Sequence, residues 1–470
     1  MVFRSTADLK DRKVLVVGLA RSGTASANFL AASGAKVTVN DKKDAALLTP
    51  FIETLVPSVS TVFGSHPGSL FAEADLIVVS PGVPLSIGPL SDARKKGVPV
   101  IGELELAYII SRMQENTAAS GFIAITGTNG KSTTTMLAYE IMKNAGFGTL
   151  LGGNIGIAMT EEIMAAAQGE RKIDFVVAEL SSFQLEAMQD FRPKAAAILN
   201  ITPDHMDRYP GMEEYIEAKC NVAMNQDKDD FLVLNADDEN FEKVAARLKA
   251  KQGGMPQLLY FSRKKRVDGA YYDGTRINFN MDMLGVNFDM DPSKFRIKGV
   301  HNIENAMAAS LLGLLCGCSP DIATKTLAEF SGLDHRLEFV REIGGVKFIN
   351  DSKGTNVGAV IKSLEGFAEP VILIAGGRDK DGDFSALRGP VREKVKAMIL
   401  IGEAAGKIEK ALAGAADMFR EESLSSAVAK AFSIASKGDA VLLSPACASF
   451  DMFRDFEDRG RQFKEAVAAL

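Results

Sequence analysis

"AITGTNGKSTTT", residues 124–135, is the stretch on which the fold turns. An apolar run leads into Gly127, Thr128, Asn129, Gly130 and Lys131, and Ser132 and Thr133 follow where a helix would begin. Glycines let backbone N–H groups close around a phosphate. A helix N-terminus adds partial positive charge, Lys131 adds a full one, and a hydroxyl can hold Mg²⁺. Ile125 stands where the longer G-x-x-x-x-G-K-[ST] pattern has its first glycine, so the loop is shorter but keeps the same parts. The bland alternative is a Gly-rich turn that merely starts a helix. Strand, loop, lysine and hydroxyls in that order favour a nucleotide phosphate, with Ser132 or Thr133 on its metal.

Around this loop, apolar β-rich runs alternate with helical patterns. The runs are "KVLVVG", "AKVTVND" and "DLIVVS" before residue 110, and "GFIAITG", "IDFVVAEL", "KAAAILN" and "DDFLVLNADD" up to Gly332. Beyond it come "GVKFIND", "PVILIAGG", "KAMILIG" and "DAVLLSPA". That alternation predicts parallel sheets with covering helices in three α/β domains: a Rossmann-like unit over 1–109, a P-loop ATPase-like unit over 110–332 and a second Rossmann-like unit over 333–470. The polar stretch 262–294 reads as hairpins and loops on the second unit.

The chain has 470 residues, 46% of them hydrophobic and 24% charged, which supports several packed cores rather than disorder. A formal charge of −6 argues against non-specific nucleic-acid binding, so an anionic substrate must be held by local lysines, arginines and helix N-termini. The first residues lack the apolar core of a signal peptide and no apolar run is long enough to span a bilayer, so a cytoplasmic protein without membrane insertion is expected. Four cysteines, Cys220, Cys316, Cys318 and Cys447, read as reduced thiols rather than a disulfide framework.

Carboxylates and loops at the ends of the predicted strands supply further candidates. Glu179 ends "DFVVAEL", where a parallel strand delivers residues to the ligand edge, and would serve as the metal carboxylate of the phosphate loop. His205 lies between Asp204 and Asp207 after another strand and is a plausible metal ligand, although a lone histidine is more often structural. Lys219 reads by itself as a solvated helical lysine. "GLARSG" (18–23) resembles a dinucleotide fingerprint with Ala20 in place of the middle glycine, and Asp41 ends the next strand where such folds meet a ribose. An NAD-dependent oxidoreductase is the rival reading, but it leaves the ATP-type loop unexplained. In the third unit "NDSKGTN", "GGRDKDGDF" and "SPACASFDMF" all follow strands, and in an open parallel sheet such loops share one edge. They offer Lys353, Thr355, Lys380 and Ser449 to a small carboxylate-bearing molecule.

"TGTNGKSTT", "GGNIG", "ELSSFQLE", "DHMDRY", "HNIENAMAA", "LDHRLE", "NDSKGTN" and "SPACASFDMF", in this order along nearly the whole chain, resemble the Mur ligases of peptidoglycan synthesis. The last motif points to the branch that adds D-glutamate to UDP-N-acetylmuramoyl-L-alanine. The resemblance implies UDP-substrate binding by Arg21, Ser22, Gly23, Asp41, Ser80, Gly82 and Asn154. For ATP it implies Gly127 through Thr133 together with Asn305, Arg336 and Asp351. D-glutamate would be held by Lys353, Thr355, Lys380, Ser449, Phe450 and Phe456. Two Mg²⁺ ions would be held by Ser132, Thr133, Glu179 and His205 and by Lys219 carbamylated by CO2, with Lys131, Glu179, His205 and Lys219 forming the catalytic set. A monomer is expected.

Overall fold

The computed structural model describes residues 3, 5–113, 121–169, 171–206, 208–250 and 254–470. Its strands are β1 Lys13–Val17, β2 Lys36–Asp41, β3 Ser60–Phe63, β4 Leu76–Val79 and β5 Val100–Gly102 in a first sheet. A second holds β6 Gly121–Thr126, β7 Thr149–Gly153, β8 Phe175–Glu179, β9 Ala195–Ile198, β10 Phe231–Asn235, β11 Gln257–Ser262, β12 Gly269–Tyr272, β13 Ile277–Met281 and β14 Val286–Met290. The third holds β15 Glu338–Ile343, β16 Val346–Asn350, β17 Val371–Gly376, β18 Val395–Ile401, β19 Asp417–Arg420 and β20 Ala440–Leu443.

The first sheet is parallel in the order β3-β2-β1-β4-β5, so the strand order reverses between β1 and β4. An open α/β sheet takes its ligand beyond the carboxyl ends at such a reversal. The second sheet runs β14-β13-β12-β11-β10-β9-β6-β8-β7, parallel from β7 to β12 and antiparallel through β13 and β14. The stretch 262–294 is thus a meander that widens the central sheet. It is fixed by period-two burial of Ile277, Phe279 and Met281 and by Phe279 stacking on Phe288 at 4.5 Å. In the third sheet, β15-β16-β20-β17-β18-β19, all pairs but β15/β16 are parallel.

Central strands such as β17 and β20 are buried at every residue, as helices on both faces require, and therefore read as continuous apolar runs. The helix Glu103–Ser111, buried along its whole length, joins the first two sheets. Glu105 there accepts the backbone N–H groups of Gln189, Asp190 and Phe191 at 3.0, 2.9 and 3.1 Å, and Glu103 accepts the Thr160 N–H and hydroxyl, both at 2.7 Å. A boundary at 109/110 cuts the last turn of this helix. The four cysteines are free thiols, and among the described residues no helix is long and apolar enough to cross a membrane.

Candidate active site

β6 delivers the phosphate loop, and the helix Lys131–Asn144 leaves it. Gly130 caps that helix at φ 85°, and a Cβ there would meet the Asn305 side-chain oxygen at 2.5 Å, so only glycine fits. The loop is stitched to the segment after β9. The Asn129 N–H donates to Asn200 Oδ1 at 2.8 Å, Asn200 Nδ2 donates to the Asn129 carbonyl at 3.0 Å, and the Thr128 hydroxyl donates to the Thr202 carbonyl at 3.1 Å. Lys131 folds back so that its Nζ donates to the carbonyls of Gly127 (2.9 Å) and Thr128 (2.8 Å). Burial lowers its pKa, while Glu179 and Asp204 pull the other way. In the first helical turn Ser132 and Thr133 are buried, and the Thr133 hydroxyl has no hydrogen-bond partner among the described residues.

Glu179 ends β8 and is 1% exposed. Its Oε1 accepts from Asn154 Nδ2 at 2.8 Å, whereas the buried Oε2 has no partner among the described residues. A buried carboxylate oxygen without a donor calls for a cation or an unusual proton. Glu179 Oε2 and Thr133 Oγ1 are hard oxygen donors, which suit Mg²⁺ bound together with substrate phosphates. Among the described residues no cluster of three or more His, Cys, Asp or Glu side chains could hold a metal, so phosphate and hydroxyl oxygens would have to complete its shell. His205 adopts φ 58°, meets the Phe183 ring edge-on at 4.8 Å and places Nε2 3.8 Å from Asp204 Oδ2. Asp207 lies outside the described residues.

Lys219 is not solvated. It is 1% exposed on the helix Met212–Cys220, donates to the Gly127 carbonyl at 2.8 Å and lies 4.5 Å from the centre of the Tyr215 ring. Burial, seconded by repulsion from Lys131, holds its pKa well below the usual lysine value. Two lysines thus converge on one carbonyl of the phosphate loop.

A cavity of about 370 Å³ opens beside the loop, lined by Asn129, Gly130, Asn305, Arg336, Asp351 and His301 among others. Five of these six were expected at ATP from the sequence, and they come from both the central and the third sheet units. The Thr134 hydroxyl donates to Asn305 Oδ1 at 3.1 Å. Arg336 Nε is buried without a partner among the described residues. Burial raises Asp351, although the Ser363 and Ser444 hydroxyls each donate to it at 2.7 Å. His301 also lines this cavity and was not singled out from the sequence. Burial, with Arg336 nearby, lowers its pKa to about 4 and keeps it neutral.

The three acceptor loops follow β16, β17 and β20, which are neighbours in the sheet, so they do share one edge. Lys353 Nζ stands over the Phe456 ring at 3.7 Å. Lys380 pairs with Asp204 of the central unit at 2.8 Å, and Asn356 Nδ2 donates to Asp204 Oδ2 at 3.0 Å and to Asn129 Oδ1 at 3.3 Å. Burial alone would raise Asp204, but Lys380 and His205 together hold it below the usual value. Ser449 is buried and Thr355 half-buried, whereas Phe450 is 64% exposed. Asn356 escaped the sequence reading because an asparagine after a loop signals only a helix cap, which it also is.

At the first sheet's reversal, the Ser80 hydroxyl donates to the Gly18 carbonyl at 2.8 Å, and Gly23 is packed so closely that a Cβ would meet that carbonyl oxygen at 2.0 Å. Ser22 is half-buried beside it and Gly82 is exposed. Asp41 is occupied by backbone, accepting from Leu19 at 2.7 Å and Lys43 at 2.8 Å, so it shapes the loop after β1. Arg21 reaches the Gly156 carbonyl at 3.2 Å, two residues beyond Asn154, which ties this crevice to the Glu179 region.

Family models match in three consecutive segments: the Mur ligase MurD-like N-terminal domain over 12–102, the Mur ligase middle domain over 125–313 and the Mur ligase glutamate ligase domain over 335–447. The chain is 46% identical to the UDP-N-acetylmuramoylalanine--D-glutamate ligase of Geotalea daltonii over 98% of both chains. It is 44% identical to that of Pelobacter propionicus over 98% of this chain and 100% of the relative. Among solved structures it resembles the pseudomurein peptide ligase type C of Methanothermus fervidus, with TM-score 0.60, 19% identity and coverage of 98% of this chain and 100% of that one. It also resembles the UDP-N-acetylmuramate-alanine ligase of Thermotoga maritima, with TM-score 0.58, 18% identity and coverage of 97% and 99%. These last two likenesses show the shared three-domain fold. The chain belongs to the Mur ligase family of ATP-dependent amide-bond-forming ligases, within its D-glutamate ligase branch.

Proposed function

We propose that the chain joins D-glutamate to UDP-N-acetylmuramoyl-L-alanine, consuming ATP and releasing ADP and phosphate, as a cytoplasmic monomer in peptidoglycan precursor synthesis. The observation that carries the reading is the contact between phosphate and acceptor sites. Lys380, from an acceptor loop, pairs with Asp204, which lies on the segment stitched to the phosphate loop. The units are taken as 1–109 for the UDP-substrate, 110–332 for ATP and 333–470 for the amino acid.

The substrate carboxylate oxygen attacks the γ-phosphorus, the bond to the β-phosphate oxygen breaks, and ADP leaves with that electron pair. The D-glutamate amine then adds to the acyl carbon and gives up a proton, and the tetrahedral intermediate expels phosphate to leave the amide. Lys131 and the N-terminus of its helix receive the phosphate charge, which is the main task in phosphoryl transfer. Bound Mg²⁺, on Glu179, the hydroxyls of Ser132 and Thr133, and His205, would neutralise the phosphate oxygens. Lys219, whose burial disfavours the charged form, can add CO2 through its neutral amine and lose a proton to become a carbamate, an anion for a second Mg²⁺. Arg21, Ser22, Gly23, Asp41, Ser80, Gly82 and Asn154 would hold the UDP-substrate, Asp41 also fixing the loop after β1 through the Leu19 and Lys43 N–H groups. Gly127 through Thr133, Asn305, Arg336 and Asp351 would hold ATP. Lys353, Thr355, Lys380, Ser449, Phe450 and Phe456 would hold D-glutamate.

Phosphate release with ATP, Mg²⁺ and UDP-N-acetylmuramoyl-L-alanine should be stimulated by D-glutamate and not by L-glutamate, L-alanine or diaminopimelate. Stimulation by another amino acid instead would overturn the acceptor assignment.

A further inference from the structure

Arg459, on the helix Phe456–Ala468, is fully buried, and among the described residues no carboxylate lies within ion-pair distance of it. Its donors go to loops instead. Nε donates to the Ser352 hydroxyl at 3.0 Å and Nη2 to the Ser352 carbonyl at 2.9 Å, in the loop after β16. Nη1 donates to the carbonyls of Cys447 at 3.2 Å and Ala448 at 3.4 Å, in the loop after β20. The loop after β17 closes on the same group. A Cβ on Gly377 would lie 3.3 Å from Nη1, and Arg378 and Ala448 exchange both backbone hydrogen bonds at 2.9 Å. Lys353 and Ser449 directly follow Ser352 and Ala448, and Lys380 lies two residues beyond Arg378.

We propose that Arg459 is the positioning residue of the acceptor site: one guanidinium, donating into two of the acceptor loops and packed against the third, sets the spacing of Lys353, Lys380 and Ser449. This rests on the acceptor assignment made above. Burial lowers its pKa to about 10, so it stays charged at neutral pH and adds positive potential beneath an anionic amino acid. A planar fork with five donors can hold several carbonyls at once, which a lysine cannot. The next residue, Gly460, shows how tightly the helix is seated, because a Cβ there would lie 2.2 Å from His335 Nδ1.

R459K and R459M would be compared with the wild type by steady-state kinetics and, without ligands, by amide hydrogen exchange over 350–356 and 444–450. In R459K the KM for D-glutamate should rise about tenfold, while those for ATP and the UDP-substrate stay within about twofold. R459M should show a larger rise, and both loops should exchange faster in either variant. Should R459M fail to fold, R459K decides. The proposal is overturned if R459K keeps both the D-glutamate KM and the loop exchange of the wild type, or if all three KM values rise together. Wild type without D-glutamate-dependent turnover would sink the acceptor assignment instead, and unchanged loop exchange in R459K would still sink the anchoring.

Discussion

Lys219 and Lys353 are both buried lysines, and their neighbours send them to different ends. Moving an ammonium out of water costs several kcal/mol, and a hydrogen bond from it to a carbonyl returns about 1.5–3 kcal/mol. Lys219, with the Gly127 carbonyl as acceptor and Lys131 repelling it, is therefore shifted toward the neutral amine that CO2 requires. Lys219→Ala should lose turnover by about 10³-fold, as for loss of a charge-stabilising group, and recover part of it with added formate or acetate. Wild-type turnover in this variant would contradict a carbamate. Lys353, less deeply buried, is lowered to about 8, with Glu179 partly offsetting burial. A bound carboxylate favours the protonated form, so D-glutamate binding takes up a proton above that value. The KM for D-glutamate should be flat below pH 7 and rise through about pH 8, and Lys353→Arg should flatten the profile because arginine keeps its charge. Residues like these were legible where a loop motif or the family pattern surrounds them. Arg459, inside "FEDRGRQF", reads as one more solvated helical charge, and only the fold shows its burial.

Interior strands announced themselves and edge strands did not. β17 and β20 are apolar at every position because both faces are covered, whereas β3, β15 and β19 are half-exposed and mix polar with apolar residues, a weaker signal. β5 is only three residues long, and β7, at an edge of the second sheet, carries Gly153 where a Cβ would meet the Glu179 carbonyl oxygen at 2.2 Å. The stretch 262–294 does form a hairpin, and it joins the central sheet where β12 pairs in parallel with β11, a direction that the short connection between them does not announce. Arg263 and Lys264 at the start of this stretch line the cavity beside the phosphate loop, whereas among the described residues the β13–β14 hairpin adds nothing to that lining, so the packing of this hairpin should affect stability alone. Phe279→Ala removes a buried ring stacked on Phe288 and should cost about 3–5 kcal/mol while leaving all three KM values unchanged. A kinetic defect in the folded variant would tie the meander to the site.

Across the whole molecule, ATP, UDP-substrate and amino acid are assigned to different sheets, so turnover depends on contacts between units. Helix Glu103–Ser111 binds the first to the second through buried carboxylates, whereas the third meets the second through Asp204, Lys380 and Asn356. None of these contacts has a local sequence signal, since each joins residues more than fifty positions apart. Asp204→Asn removes the charge that holds Lys380 and should open the third unit away from the second. Small-angle scattering would then give a larger radius of gyration than for the wild type, and superimposable profiles would contradict the latch. The central claim is that ATP activates the UDP-substrate carboxylate before the amine arrives. Incubating the protein with ATP, Mg²⁺, UDP-N-acetylmuramoyl-L-alanine and hydroxylamine, without D-glutamate, tests it most directly. An ATP-dependent hydroxamate of the UDP-substrate should form and should disappear in Lys131→Ala; its absence from a wild type that turns over D-glutamate would rule out an acyl phosphate formed before the amine arrives.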